Sequence, residues 1–286
     1  MKQELVRINS MDEIEQPGIL YIPDKTTDKI VIHVHGLNGN FYENRFLDTL
    51  AKSYTDKGYA FLTFNNRGKD FIAELLKGDG FTVIGGSLER FKDCILDIEG
   101  VVSWVKQKGY KEITLEGHSY GCNKVLYYYN KKKEDCINKI VLLAPCDIPS
   151  EGKKFLSEEE YNKAKVESTR LVNEGKENEL IDFSVMANGK IAAGTYYNDF
   201  LPGGENNFIR YTEDINDMNE VLNSIDIPVL VVFGDADECV LTQSIDKVKV
   251  YLNNNIKNCN IKIINGADHS YCNKYEELGI IISKNF

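Results

Sequence analysis

The pentapeptide Gly117-His118-Ser119-Tyr120-Gly121 lies where one kind of sequence pattern gives way to another. The apolar run Ile113-Thr114-Leu115 precedes it, and Val125, Leu126 and Tyr129 follow at helical spacing. A serine between two glycines at a strand-to-helix turn is typical of a nucleophile elbow. The turn is tight enough to need small flanking residues, and it holds the serine hydroxyl above the end of a sheet. The stretch predicts a nucleophilic serine if the chain also supplies a base, an acid and oxyanion donors.

Length and composition narrow the possible classes of protein. A chain of 286 residues can bury a large core and is best described as one domain with room for an insertion. Its formal net charge of −10 opposes binding to nucleic acid or to an anionic membrane surface. Seven cysteines, an odd number with no C-x-x-C pair, favour reduced thiols. The sequence has no signal-like or membrane-spanning segment, so we expect a cytoplasmic protein with a small-molecule partner.

Strand-like apolar runs alternate with amphipathic helical stretches over the first half of the chain. This alternation implies right-handed crossovers and a mostly parallel central sheet flanked by helices, an α/β fold. Ser87 is the predicted N-cap of the helix that carries Phe91, Ile95, Ile98 and Val102. After a short strand at 18–22, the four predicted strands of this region lie at 29–34, 59–64, 112–115 and 139–144.

The alternation stops after the fourth α/β unit. Residues 148–225 are polar, with an acidic helix start at Ser157 and a stretch rich in Tyr, Gly and Asn. Beyond them the pattern resumes with strands at 228–234 and 260–264, a helix near Thr242 to Leu252, and a last helix from Lys274. We therefore expect a core of residues 1–147 and 226–286, with a lid or cap insertion at 148–225 that does not fold independently.

The candidate base and acid follow from chain order. In α/β-hydrolases the nucleophile, the acid and the histidine occur in that order, each on a loop after a strand. His269 is the only histidine C-terminal to Ser119, and it follows the last predicted strand. The acid should come from the loop after the preceding strand, which offers Asp235, Asp237 and Glu238. Asp237, three residues after the strand's final glycine, is the predicted acid, and Asp235 is the alternative.

Two backbone amides are the predicted oxyanion donors. One is the N–H of Tyr120, directly after the nucleophile, and the other is the N–H of Leu37 in the loop after the first buried strand. Gly36 and Gly39 would let that loop approach the serine closely, although an ordinary βα turn also uses glycines.

The pair His33-x-His35, together with Asp237, is a possible metal site. Histidines on a buried strand are more often packed or hydrogen-bonded, and no third histidine lies in position. The prediction is therefore no metal and no cofactor.

The aromatic residues Tyr196, Tyr197 and Phe200 of the insertion have two possible roles. They could line a pocket for an acyl or aromatic group of the substrate. Equally, they could form the small core of the insertion itself.

With these features the chain resembles the α/β-hydrolase superfamily over nearly its whole length. Its histidine-glycine loop and its insertion are similar to bacterial lidded carboxylesterases, including feruloyl and cinnamoyl esterases. A fainter resemblance, from Asn66-Arg67-Gly68 through Gly85-Gly86-Ser87 to Cys94, is to a branch with fungal siderophore-ester hydrolases. The main resemblance rests on His35-Gly36, Gly117 to Gly121, Gly234-x-x-Asp237 and Gly266-Ala267-Asp268-His269.

The resemblance implies a cofactor-free serine esterase that cleaves a carboxylic ester through an acyl-enzyme intermediate. Ser119 would be the nucleophile, His269 the base and Asp237 the acid. The same residues could serve a thioesterase or an acyltransferase, and the fold also hosts non-catalytic ligand-binding proteins. The polar, acidic insertion makes small or medium-sized substrates more plausible than long-chain lipids.

Overall fold

The computed structural model describes residues 1–186, 188–212, 219–239 and 244–286. Within these residues the backbone forms twelve strands. In chain order they are β1 (Lys2–Asn9), β2 (Glu15–Ile22), β3 (Lys29–Val34), β4 (Ala60–Phe64), β5 (Ala73–Lys77), β6 (Gly80–Ile84), β7 (Glu112–His118), β8 (Ile137–Leu143), β9 (Leu180–Asp182), β10 (Lys190–Ala192), β11 (Val229–Gly234) and β12 (Cys259–Ile264).

Nine helices occur in the same described ranges. They are α1 (Phe46–Asp56), α2 (Cys94–Gln107), α3 (Tyr120–Lys132), α4 (Ile148–Lys154), α5 (Glu158–Asn173), α6 (Ala193–Phe200), α7 (Glu220–Asn223), α8 (Ile245–Asn255) and α9 (Tyr275–Asn285). The predicted acidic start of α5 is observed as a capping box, in which Ser157 and Glu160 satisfy each other's backbone amides.

One eight-stranded sheet organises the molecule, in the order β1-β2-β4-β3-β7-β8-β11-β12. The pairs from β4 through to β12 are all parallel, whereas β1–β2 and β2–β4 are antiparallel. The prediction of a mostly parallel α/β sheet is therefore confirmed. Because parallel strands end at a common edge, the loops that follow β3, β7, β8, β11 and β12 are brought together there.

Apolar side chains are buried on both faces of this sheet. Tyr54 of α1 and Leu278 of α9 pack on one face, and Val102 of α2 and Val125 of α3 pack on the other. Strands β3, β4 and β11 are buried along most of their length, as expected of strands that are covered on both sides.

The chain between β8 and β11 forms α4 to α7 and the two-stranded ladder β9–β10. Its buried residues Phe183 and Phe200 belong to the same apolar cluster as α2 and α3. The hydroxyl of Thr195 donates to the carbonyl of Glu89 at 2.7 Å and accepts from the Arg90 guanidinium at 2.9 Å. The 148–225 segment thus shares a packed interior with the rest of the chain.

Some local predictions were wrong. Ser87 is not the cap of α2, because a short 3₁₀ turn at Phe91–Asp93 leads into the helix and Asp93 occupies the cap position. The hairpin of β5 and β6 is absent from the predicted strands. Strand β1 was missed because its buried residues, Val6 and Ile8, are too few to make a strong pattern. The predicted helix start at Thr242 lies outside the described residues.

Candidate active site

Ser119 occupies a sharp turn between β7 and α3. Its backbone has φ 55° and ψ −127°, a conformation that a non-glycine residue rarely adopts. A Cβ on Gly117 would lie 2.4 Å from the Gly121 carbonyl carbon, and a Cβ on Gly121 would lie 2.1 Å from the Val34 oxygen. Both flanking positions therefore require glycine, which gives a physical reason for the sequence pattern.

His269 and Asp237 come together from two different loops. The Nδ1 atom of His269, in the loop after β12, lies 3.0 and 3.1 Å from the two carboxylate oxygens of Asp237, in the loop after β11. The Asp237 side chain is fully buried and also accepts the Cys239 backbone amide at 2.9 Å. The alternative acid, Asp235, is exposed and accepts the amide of Gly266 at 2.5 Å. Of the two aspartates, Asp237 is the one whose carboxylate contacts the His269 ring.

The charged form of His269 is stabilised by its surroundings. Burial alone would lower the pKa of the imidazole, but hydrogen bonding to Asp237 and interaction with Cys239 outweigh burial and raise the pKa to about 10. A carboxylate that favours imidazolium suits a base that must carry a proton during the reaction.

His118 holds the backbone that carries His269. Its Nε2–H donates to the His269 carbonyl oxygen at 2.9 Å, and the two rings lie 5.0 Å apart between centroids. Burial lowers the pKa of His118 well below its usual value, so the ring is neutral. Sequence analysis assigned this residue no role, although its place directly before the predicted nucleophile was a usable signal.

The loop after β3 runs close beside Ser119. A Cβ on Gly36 would lie 2.9 Å from the Ser119 Cβ and 3.4 Å from its Oγ, so the glycine permits this approach. Leu37 follows directly and is half-buried. Tyr120 is the first residue of α3, where backbone amides have no partner within the helix. Both predicted oxyanion donors thus belong to segments that adjoin Ser119.

His33 on β3 and His35 just after it both contact neighbouring groups of the protein. The Nδ1 atom of His33 lies 2.7 Å from Glu116 on the neighbouring strand. The Nδ1–H of His35 donates to the Gly36 carbonyl at 2.8 Å, and its Nε2 accepts from the Asn66 amide at 3.1 Å. Burial lowers the pKa of His35 to about 3, so the ring stays neutral. These contacts match the interpretation of packed, hydrogen-bonded histidines.

Two cysteines lie beside the predicted triad. The Sγ atom of Cys146, in the loop after β8, is 3.7 Å from the Ser119 Oγ. Interaction with the Cys239 thiol, together with burial, raises the pKa of Cys146 well above its usual value. The interaction with Cys146, and a further one with His269, lower the pKa of Cys239 to about 6 against the effect of burial. Sequence analysis counted these thiols without placing them, although each follows a predicted strand at the same sheet edge.

Residues 25–276, most of the chain, match the family described as serine aminopeptidase, S33. The chain belongs to this family. Membership confirms the prediction of an α/β-hydrolase-fold enzyme of the serine-hydrolase class.

Individual relatives of this serine hydrolase are distant. A Synechocystis protein with the provisional name non-heme chloroperoxidase is 26% identical over 277 residues, covering 88% of each chain. Est1E from Butyrivibrio proteoclasticus, in a complex with ferulic acid, has 20% identity and a TM-score of 0.68 over 98% of this chain and 97% of its own. An esterase from Pyrococcus furiosus has 17% identity and a TM-score of 0.61 over 99% and 90% of the two chains.

The 148–225 segment places the buried Glu151 near the predicted triad. Glu151 of α4 is 8% exposed, and neither of its carboxylate oxygens has a hydrogen-bond partner among the described residues. Burial, reinforced by the nearby Cys239, raises the pKa of Glu151 to about 8. Sequence analysis missed it because Glu151 stands in a polar stretch that resembles a solvated surface.

The predicted substrate-binding aromatics pack mainly against one another. The ring of Tyr196 lies 5.2 Å from Phe183 and 5.7 Å from Phe200 between centroids, and Tyr196 and Phe200 are both buried. Tyr197 is half-buried against the same apolar cluster. These contacts fit the alternative interpretation, the interior of the insertion.

A groove of about 1030 Å³ also lies in the insertion, between α5 and the ladder β9–β10. Leu156, Ala164, Ile181 and Phe183 are among its lining residues, and none of the predicted triad residues lines it. Every helix in the described ranges falls short of the length and apolarity that a bilayer-crossing segment needs.

Proposed function

We propose that this protein is a serine carboxylesterase that cleaves esters of small or medium-sized acids through an acyl-enzyme intermediate. The observation that carries the proposal is the contact of His269 with the buried carboxylate of Asp237, at the same sheet edge as the strained Ser119 turn. A base oriented by an acid, at the same sheet edge as a serine held in an elbow, is the kind of arrangement that acyl transfer uses.

In the proposed reaction the Ser119 hydroxyl attacks the ester carbonyl carbon while His269 takes its proton. The carbonyl oxygen becomes an oxyanion that accepts hydrogen bonds from the Tyr120 and Leu37 amides. The tetrahedral intermediate collapses, His269 returns the proton to the leaving alcohol, and a water activated by His269 then releases the acid. Asp237 holds the imidazole in one tautomer and stabilises its charged form.

The 148–225 segment acts as the lid in this proposal and bounds the acyl site. Its polar and acidic surface favours small or medium-sized substrates over long-chain lipids. Est1E, whose fold is similar, holds ferulic acid, which makes hydroxycinnamate esters a reasonable class to include in the assays.

A substrate panel tests this function. p-Nitrophenyl esters of graded acyl length, a feruloyl ester, an acyl thioester and an amino-acid p-nitroanilide would be compared on the wild type and on Ser119→Ala. We expect the short esters to be preferred and turnover to fall by roughly 10⁴ or more in the variant. A fluorophosphonate should label Ser119 and no other residue. Turnover that survives in Ser119→Ala, or a label on another residue, would overturn the assignment.

The same panel separates the other reactions open to this site. Preference for the thioester, or transfer to an added alcohol or thiol in place of hydrolysis, would identify a thioesterase or an acyltransferase. Preference for the p-nitroanilide would identify the aminopeptidase activity of the family description. A correctly folded protein that binds the esters without turnover would be a ligand-binding member of the fold.

A further inference from the structure

Three metal-ligating side chains converge beside Ser119. The Sγ atoms of Cys146 and Cys239 and a ring nitrogen of His269 all lie within 4.8 Å of one another. The Ser119 Oγ is 3.7 Å from the Cys146 sulfur. These residues come from the turn after β7 and the loops after β8, β11 and β12, so the parallel sheet itself brings them together.

The chemistry of this donor set is specific. Two thiols and one imidazole, with a hydroxyl or a water as the fourth ligand, match the tetrahedral preference of Zn²⁺ for sulfur and nitrogen. His269 already makes its Nδ1 contact with Asp237, and a carboxylate behind a histidine is the usual support for a zinc-binding imidazole. We propose that Cys146, Cys239 and the Nε2 atom of His269 form a site for a thiophilic divalent cation, Zn²⁺.

Two buried acidic side chains adjoin this position. Glu151 lies buried near these groups without a hydrogen-bond partner among the described residues, and Asp237 is fully buried behind the imidazole. A buried carboxyl group without a partner is unfavourable, and a neighbouring divalent charge would relieve that cost. This site is distinct from the His33-x-His35 pair, whose contacts are with Glu116, Gly36 and Asn66.

Binding requires only proton release. Each thiol that carries a proton releases it to solvent as its sulfur binds the metal. The imidazolium of His269 likewise releases its Nε2 proton, which frees the lone pair for the cation, so no oxidant or reductant takes part. A metal-bound His269 cannot accept the Ser119 proton. Zinc is therefore an inhibitor of the esterase, and this consequence, unlike the binding itself, rests on the proposed function.

Binding can be measured without any activity assay. The reduced, metal-free protein would be titrated with Co²⁺, whose thiolate complexes give a charge-transfer absorption band, and Zn²⁺ would then be added to displace the cobalt. We expect the absorption band to reach its maximum at one cobalt per chain. Mg²⁺, which prefers oxygen ligands, should not displace the cobalt.

The test variants remove one sulfur at a time. Cys239→Ala is the first, because Cys239 is half-buried and its loss leaves the packing nearly intact, and the buried Cys146→Ala is the second. Each should weaken zinc binding by about 100-fold or more, since even the partners behind metal ligands contribute 10- to 100-fold. Cys272→Ser is the matched control, because Cys272 is the exposed cysteine most open to adventitious metal, and it should leave binding unchanged.

The outcomes are distinct. Absence of a thiolate band in the wild type, or an unchanged band in both alanine variants, would overturn the site. Zinc inhibition of ester turnover, expressed for each variant relative to its own metal-free rate, should weaken in parallel with binding. A cobalt band in a protein that shows neither turnover nor fluorophosphonate labelling would retain the metal site and refute the proposed function.

Discussion

The Nε2–H of His118 donates a 2.9 Å hydrogen bond to the carbonyl oxygen of His269, so the residue before the predicted nucleophile positions the backbone of the predicted base. The two residues are 151 positions apart in the sequence. This bond fixes the loop after β12 against the end of β7, and it makes the separation of Ser119 and His269 depend on a third side chain.

Replacing His118 tests that dependence. His118→Phe keeps a ring against Phe46 and Tyr271 but removes the donor, so the His269 loop loses its tether. We expect kcat to fall by about 10²-fold, since displacement of a catalytic group by about 1 Å has that effect, with KM little changed. Steady-state kinetics give the split, and His118→Gln, whose amide can donate, should recover part of kcat. Equal losses in both variants would indicate a packing role.

The choice between the two aspartates is open to direct measurement. Asp237→Asn should lower kcat by about 10⁴-fold, because an amide cannot hold His269 in the correct tautomer. Asp235→Asn keeps an oxygen that can accept the Gly266 amide, so kcat should change little. If Asp235→Asn is the more damaging change, the acid lies two residues earlier than proposed.

The pH dependence of turnover should report the raised pKa of His269. The base must be neutral to accept a proton, so kcat/KM should rise with pH. The midpoint of this rise should lie above the ordinary histidine pKa of about 6.5. Asp237 and Cys239 raise this pKa, Glu151 is the other acid nearby, and His118 stays neutral.

Cys239→Ala removes one of these contributions, and the midpoint should therefore move to lower pH. A profile measured from about pH 5 to about pH 11 tests this. Cys272→Ser, which leaves the surroundings of His269 unchanged, provides the control. A midpoint at the same pH in all three proteins would show that Cys239 does not influence His269.

The loop beside Ser119 has little room for an additional atom. Gly36→Ala places a methyl group 2.9 Å from the Ser119 Cβ and 3.2 Å from the His118 carbonyl oxygen. We expect the loop to move away, with kcat falling by about 10²-fold as an oxyanion donor is displaced. Gly80→Ala, where the nearest atom is 3.9 Å away, should retain full activity. A normal turnover rate in Gly36→Ala would contradict the assignment of the Leu37 amide as an oxyanion donor.

The buried side chain of Glu116 on β7 should contribute strongly to the free energy of unfolding. Glu116 accepts from Tyr54 and contacts His33 at 2.7 Å, and all three side chains are buried. Glu116→Ala leaves both partners without an acceptor, and the free energy of unfolding should fall by about 3 kcal/mol or more. Glu112→Gln on the same strand removes an exposed ion pair with Lys29 but keeps an oxygen that can accept from Asn138, for a loss of about 0–1 kcal/mol. Urea unfolding measures both, and similar losses would contradict the expectation.

Sequence reasoning succeeded where a local pattern carries its own physical cause. Glycine is required on both sides of Ser119 because an added Cβ would lie 2.4 or 2.1 Å from neighbouring backbone atoms. The continuous apolar runs of β3 and β4 follow from burial on both faces of the sheet. Asp237 could be preferred over Asp235 from its spacing after the strand, and the structure places Asp237 against His269.

Features that depend on distant parts of the chain could not be predicted in this way. The contact between Ser119 and Cys146, and the grouping of Cys146 with Cys239, arise only when separate loops meet at one sheet edge. The apolar residues of the hairpin of β5 and β6, such as Phe81, are mostly exposed, so burial of a hydrophobic face does not explain why these strands form.

The bonds that join Thr195 to Glu89 and Arg90 have a consequence for protein engineering. The 148–225 segment is joined to the rest of the chain through a buried hydroxyl and a common apolar interior, so it cannot be exchanged as an independent unit. Transplanting residues 148–225 from a relative would remove the hydroxyl that bonds the Glu89 carbonyl and the Arg90 guanidinium, unless the new segment supplied an equivalent one. Changes of specificity in this scaffold are therefore better sought by point substitution than by swapping the whole segment.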